Sequence, residues 1–109
     1  MARILVVDSD ENHAKALISR LHSRRYEVTV VAKPGALNQL GTPLAQFHVI
    51  ILEFSNRSED WEWLDKLRRL TVTSVPKPGI LCLSRSNWGT GVKLRVEHKG
   101  ARLVYERPA

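Results

Sequence analysis

Residues 47–54, FHVIILEF, form an aliphatic and β-branched run that carries the carboxylate of Glu53 near its end. The opening residues 1–9, MARILVVDS, have the same form and place Asp8 at the end of an apolar run. Runs of this kind are typical of strands that are buried on both faces of a parallel sheet. Because open α/β sheets bind their ligands at the carboxyl edge, Asp8 and Glu53 are the first candidates for a functional site.

The length and composition of the chain predict one small globular domain, residues 1–109. Its 109 residues leave room for a single modest core, and 43% hydrophobic and 26% charged residues are ordinary values for such a domain. The one cysteine, Cys82, excludes an internal disulfide framework, and its apolar neighbours predict a buried thiol. No run approaches the ~20 apolar residues that span a bilayer, and no signal peptide is recognisable. We therefore expect a cytoplasmic protein with no membrane contact.

The net charge of +6 is concentrated toward the C-terminus, because residues 85–109 contribute +4 of it. No helix-turn-helix pattern, aromatic RNA-binding strand or zinc-ligand spacing accompanies these basic residues. The charge therefore favours a solvated basic face or an acidic protein partner over direct binding of nucleic acid. Binding to random duplex that falls steeply with salt would indicate the nucleic-acid alternative.

Helix and strand patterns alternate along the chain. Helices are predicted after the cap Ser9-Asp10 as far as Tyr26, at 36–40, after the cap Ser58 over 59–70, and weakly over 86–99. Strands are predicted at the N-terminus, 28–31, 48–54, 79–84 and 101–105. This alternation favours βαβ crossovers, and therefore a doubly wound five-stranded parallel sheet of the α/β class.

An ordered series of short motifs runs along nearly the whole chain. The motifs are RILVVD at 3–8 with SDE at 9–11, YEV at 26–28, FHVIILEF at 47–54, DWEWL at 60–64, ILCLS at 80–84, GA at 100–101 and RP at 107–108. Together they resemble the receiver domain of response regulators in two-component signalling, over residues 2–108. The resemblance implies a flavodoxin-like fold with strand order 2-1-3-4-5. It also implies a fifth helix after the last strand, which we expect to be missing from residues 1–109.

The resemblance also implies a chemistry and a set of positions. Receiver domains accept a phosphoryl group on an aspartate after strand three, assisted by Mg²⁺ on an acidic pair and by a hydroxyl and a lysine. The matching positions are Glu53 for the phospho-acceptor, Asp8, Ser9 and the adjacent Asp10 for the acidic pocket, Ser84 and Arg107 for the phosphate contacts, Arg85 for the pocket mouth, and Val104 for the aromatic switch.

Several of these positions depart from the family's chemistry. Glu53 is one methylene longer than aspartate, which moves its carboxylate by roughly 1.5 Å. A displacement on the ~1 Å scale can cost about a hundredfold in a positioned reaction. Ser9 offers no carboxylate to a hard cation, so Asp8 and Glu53 remain only weak candidates for a metal site. We expect no cofactor and weak Mg²⁺ binding.

The remaining departures concern charge and signal readout. Arg107 replaces a compact ammonium by a planar guanidinium, and we expect Arg107 or Arg85 to pair with Glu53 in a charge-balanced pocket. Val104 is aliphatic, and strand alternation turns Tyr105 to the opposite face, so the aromatic switch should be absent. The four histidines are interpreted as scattered residues that form no ligand set.

These observations predict an atypical receiver, a non-catalytic pseudo-receiver that signals through protein contacts without Mg²⁺-dependent aspartate phosphorylation. The alternatives are a working phospho-acceptor fed by a histidine kinase in a phosphorelay, a decayed site with no role, and a nucleic-acid-binding domain. The expected partners are a histidine kinase, an output domain or a second copy. A homodimer is predicted because apolar residues of strands three to five would lack the cover of a fifth helix.

Overall fold

Strands and helices alternate through residues 2–32 and 43–106, which are the residues that the computed structural model describes. They are β1 (Arg3–Val7), α1 (Glu11–Ser23), β2 (Glu27–Val31), β3 (Val49–Glu53), α2 (Ser58–Thr71), β4 (Gly79–Ser84), α3 (Gly89–His98) and β5 (Ala101–Tyr105), with one turn of 3₁₀ helix at Leu44–Gln46. The predicted helix at 36–40 lies outside the described residues. No helix within the described ranges has the length and apolar character to cross a bilayer.

The five strands form one parallel sheet in the order β2-β1-β3-β4-β5, which confirms the predicted flavodoxin-like architecture. Helix α1 packs on one face of this sheet, and α2 and α3 pack on the other, as a doubly wound fold requires. All strands point the same way, so the residues that follow them meet at one edge. That edge holds most of the candidate site residues.

The larger core lies between the sheet and the helices α2 and α3. Leu64 and Leu67 of α2 and Val96 of α3 are fully buried there against strand residues that include Leu5 and Ile50. Cys82 belongs to this core, and burial raises the pKa of its thiol to about 12. The thiol is therefore a protonated core side chain, as its apolar neighbours predicted.

The opposite face of the sheet is only partly covered. Leu17 and Leu21 of α1 pack on Ile4 and Val6 of β1, and their cluster also includes Ile51. Beyond α1 lies a strip formed by side chains of β4 and β5, which we call the β4–β5 strip: Leu81, Leu83, Arg102 and Val104. Both leucines are half-buried, Arg102 is exposed and Val104 is 37% exposed. The strip is thus apolar apart from Arg102, which pairs with Leu81 in the strand register.

Two helix ends differ from the sequence-based expectation. Helix α1 ends at Ser23, three residues before the predicted end, because the amides of Arg24 and Arg25 bond back to carbonyls of the last turn. Ser58 is the first residue of α2 and not its cap. Arg57 occupies the cap position instead, and the carboxylate of Asp60 reaches back to accept the amides of Ser55 and Arg57 at 2.8 and 3.1 Å.

Candidate functional site at the carboxyl edge of the sheet

A small cavity lies where β1 and β3 end. Its volume is about 90 Å³, and its wall includes Asp8 and Ser9 after β1 and Glu53 at the end of β3. The start of α2 closes it with Arg57 and Trp63. The structure thus brings three of the predicted site residues to one place. Ser84 and Arg85 do not line this cavity, and Arg107 lies outside the described residues.

Both carboxylate oxygens of Asp8 are occupied within the chain. The side chain is 1% exposed, which makes an unpaired negative charge costly at this position. Its Oδ1 accepts the backbone amide of Asp10 at 2.9 Å, and its Oδ2 contacts Nδ1 of His13. Both oxygens of Asp8 therefore already have hydrogen-bond partners in its own chain.

His13 is a site residue that the sequence analysis missed. It lies in the first turn of α1 with its side chain 10% exposed, and its Nε2 is 2.5 Å from Oε2 of Glu106, directly after β5. Burial alone would lower the pKa of His13, but hydrogen bonds from the ring to Asp8 and Glu106, and their negative charges, raise it above its ordinary value. We call this arrangement of Asp8, His13 and Glu106 the histidine clasp. The interpretation that the histidines form no ligand set is unaffected in the described residues, but the contacts of His13 with two carboxylates were not anticipated.

One sequence signal could have found the clasp. His13 stands five residues after a strand-end aspartate and in the first turn of the following helix, where a side chain can reach back to that aspartate. Nothing in the sequence pattern pointed to Glu106, because 93 positions separate it from His13.

Asp10 caps the N-terminus of α1 and pairs with Arg85. Its Oδ1 accepts the amides of Asn12 and His13, each at 3.1 Å, while its Oδ2 lies 3.1 Å from the guanidinium of Arg85. The bond from the His13 amide, followed by the contact with Arg85, lowers the pKa of Asp10. Arg85 therefore pairs with Asp10 and not with Glu53, while Arg107, the other arginine expected as a partner of Glu53, lies outside the described residues. Oδ1 of Asp10 caps the helix, and Oδ2 is left to contact Arg85 at the carboxyl edge of the sheet.

Glu53 bonds within its own loop. Its side chain accepts the hydroxyl of Ser55 at 3.0 Å, and the residue is half-buried. No ion pair found among residues 2–32 and 43–106 includes Glu53. Arg57, in the wall of the same cavity, was not anticipated as a neighbouring cation.

The hydroxyl of Ser84 is buried and fully engaged. It accepts the indole N–H of Trp88 at 2.8 Å and the amide of Ser86 at 3.3 Å. Because those two groups can only donate, its own hydrogen goes to the carbonyl of Ser86 at 3.0 Å. Because this single O–H is already donated to Ser86 and the residue is 1% exposed, Ser84 has no free donor for a ligand at the edge.

Val104 and Tyr105 lie on opposite faces of β5. Tyr105 packs against the larger core, while Val104 stands on the β4–β5 strip beside Leu83. The position that would carry an aromatic switch is thus an aliphatic side chain, 37% exposed, on the face away from Tyr105.

The side chains at this edge do not fit Mg²⁺. That ion requires several oxygen ligands in a near-octahedral arrangement. Both oxygens of Asp8 are bonded, Ser9 offers only a hydroxyl, and Glu53 is bonded to Ser55. Within the described part of the chain, no group of three His, Cys, Asp or Glu side chains is arranged to hold a metal ion.

Neither the protein-family models nor the sequences of curated proteins contain a match to this chain. Solved structures do match, with a common architecture. The signal receiver domain of a DNA-binding response regulator from Colwellia psychrerythraea superposes with a TM-score of 0.76 at 13% identity, over 97% of this chain and 86% of that one. The non-phosphorylated HemR receiver domain from Leptospira biflexa gives 0.76 at 22%, over 100% and 84%.

A protein related to pilus assembly from Burkholderia pseudomallei has the same fold, with a TM-score of 0.73 at 23% identity over 96% of this chain and 78% of that one. At these identities the likeness establishes architecture. The strand order and the arrangement of helices agree with it. This chain therefore has the flavodoxin-like fold of response-regulator receiver domains.

Proposed function

We propose that this chain is an atypical receiver, a pseudo-receiver module of two-component signalling that acts through protein contacts and catalyses no reaction. The observation that carries the proposal is the closed hydrogen bonding of Ser84, whose hydroxyl has no free donor. A receiver needs that donor at the fourth strand to neutralise charge on the transferring phosphoryl group. Glu53 in place of aspartate and Ser9 in place of a second acid support the same conclusion.

We expect the partners of such a module to be other proteins of two-component signalling. A histidine kinase or an output domain is the expected partner, and the cytoplasm is the expected compartment. Electrostatic attraction would favour an acidic partner surface, because the chain carries a net charge of +6.

We also infer that two copies associate through the β4–β5 strip. Leu83 and Val104 are neighbours in the strand register, and with Leu81 they leave apolar surface accessible, because both leucines are only half-buried and Val104 is exposed. An isologous contact would cover the strip on both copies at once. Arg102, on the same strip, would lie at the rim, where charge is tolerated.

Beryllofluoride, a mimic of the phosphoryl group, tests the proposed function directly. Amide NMR spectra are recorded with Mg²⁺ alone and with Mg²⁺ plus beryllofluoride, for the wild type and for Glu53→Gln. We expect the two proteins to show the same small, diffuse changes. A set of shifts around residue 53 that appears in the wild type and is lost in Glu53→Gln would identify a working acceptor and contradict the proposal.

A further inference from the structure

The histidine clasp provides the acidic edge with a cation of its own. His13 lies between Asp8 and Glu106, with one ring nitrogen directed at each carboxylate. A neutral imidazole has a single N–H and could donate to only one of them, whereas an imidazolium donates to both. The arrangement therefore requires the charged ring when both carboxylates are ionised. Arg20, with its guanidinium 3.8 Å from Oε1 of Glu106, completes the balance of two negative and two positive groups.

We propose that the imidazolium of His13 is the resident cation of this site and that it excludes divalent metal ions by occupying Asp8 and Glu106. The inference deepens the proposed function and rests on it, because it names what holds the pocket in one charge state without metal or phosphate. The geometry supports the exclusion. The carboxylates contact opposite edges of one ring, so they are held apart and cannot converge on a single ion.

The clasp also ties together parts of the fold that are not neighbours in the sheet. Asp8 follows β1 and Glu106 follows β5, and β3 and β4 lie between these strands. The amide of Glu106 is held as well, by the carbonyl of Ser84 at 2.7 Å. His13 thus holds Glu106, the residue after β5, and at the same time provides Asp8 with a positively charged partner. A metal ion that took Oδ2 of Asp8 would have to displace the ring, and Glu106 would then lose its contact with His13.

Binding of Mn²⁺ to the wild type, His13→Ala and His22→Ala provides the test. His22 is an exposed residue of the same helix and serves as the matched control. Loss of the imidazolium leaves Asp8 and Glu106 without their shared cation, so we expect His13→Ala to bind Mn²⁺ at least tenfold more tightly than the wild type. His22→Ala should bind like the wild type. A folded His13→Ala that binds no more tightly, or an equal gain in His22→Ala, would overturn the inference.

A second measurement needs no variant and stands if His13→Ala does not fold. Nitrogen-15 NMR of the histidine rings reports which ring nitrogens carry a proton. At pH 7 we expect both ring nitrogens of His13 to be protonated, each directed at one carboxylate. A single-tautomer, neutral His13 ring would contradict the inference.

The two proposals fail separately. Acceptance of beryllofluoride at Glu53 in the wild type would overturn the pseudo-receiver function, while tighter metal binding in His13→Ala would still support the clasp. Conversely, a wild type that stays inert to the mimic together with a His13→Ala protein that gains no affinity would overturn the clasp alone.

Discussion

His13 and His22 belong to one helix but meet different surroundings. The ring of His13 contacts two carboxylates with its side chain 10% exposed, and Arg20 is the neighbouring cation; His22 is exposed. The pKa of His13 is raised above its ordinary value, which means that folding stabilises the protonated ring. The resulting stabilisation is fully present below the unfolded pKa of about 6.5. It is lost as the pH rises through the higher folded value.

We therefore predict that replacement of His13 by Asn lowers the free energy of unfolding by about 1 to 3 kcal/mol at pH 5.5 and by much less at pH 9. Urea denaturation at the two pH values measures the difference. His22→Asn is the control, and it should change stability by less than about 0.5 kcal/mol at both. A cost of His13→Asn that is equal at both pH values, or larger at pH 9, would contradict the prediction.

Ser84 offers a second prediction at this scale. Removal of its hydroxyl leaves the indole N–H of Trp88 and the carbonyl of Ser86 without their partner. We expect Ser84→Ala to lower the free energy of unfolding by about 1 to 3 kcal/mol, measured by urea denaturation. Ser23→Ala, which removes an exposed hydroxyl bonded to Arg20, is the control and should cost less than about 0.5 kcal/mol. Equal effects of the two substitutions would mean that the Ser84 network contributes little.

Helix α2 buries one side and leaves the other in water, as its sequence pattern predicts. Leu64 is 0% exposed and Leu70 is 49% exposed, although both are leucines of the same helix. Leu64→Ala should lower the free energy of unfolding by about 2 to 5 kcal/mol, because it creates a cavity against the sheet. Leu70→Ala should cost less than about 0.5 kcal/mol. Thermal or urea denaturation compares them, and similar costs would place the helix in a different rotation from the one described.

At the scale of elements, local patterns predicted the sheet well and the helix ends less well. The bounds of β4 and β5 are those expected, because each is a short apolar run limited by glycine, proline or charged residues. The sequence predicts Ser58 as the cap of α2, because serine is one of the residue types preferred at that position. In the structure, Asp60 reaches back from inside the helix and accepts the amides of Ser55 and Arg57. A serine cap would accept amides inside the first turn, whereas Asp60 accepts amides before the helix, and the residue types alone do not decide between the two arrangements.

At the scale of the whole molecule, the prediction concerns the association of two copies through the β4–β5 strip. Val104 on the β4–β5 strip and Val75 in the loop after α2 are both exposed, at 37% and 92%. If two copies meet through the strip, Val104→Glu should weaken the dimer at least tenfold by placing a carboxylate in an apolar contact, while Val75→Glu leaves it unchanged. Sedimentation velocity of the wild type and the two variants measures the effect. A wild type that is monomeric at high micromolar concentration would exclude the dimer.

The candidate site shows where sequence reasoning reaches its limit. The ends of the strands can be predicted from the sequence, so the predicted sheet already brought Asp8, Ser9 and Glu53 to one edge, where the structure has them. The partner of a long, flexible side chain could not be predicted from the sequence. Arg85 pairs with Asp10 and not with Glu53, since side-chain reach and a free carboxylate oxygen decide that contact in three dimensions. In the clasp, the contact of His13 with Asp8 could have been inferred from their spacing, whereas the contact with Glu106, 93 positions away, could not.

The clasp also has a consequence for the order in which this fold is acquired. It joins His13 near the start of the chain to Glu106, 93 positions later, so it closes the longest loop described in the side-chain network. The entropy of closing such a loop must be met before the contact forms, and it can form only once β5 lies beside β4. During synthesis, the ring can reach Asp8 early but must wait for Glu106 until the last strand has emerged. The first helix and the edge strand are then locked in a single late step, and they should open together when the native protein unfolds.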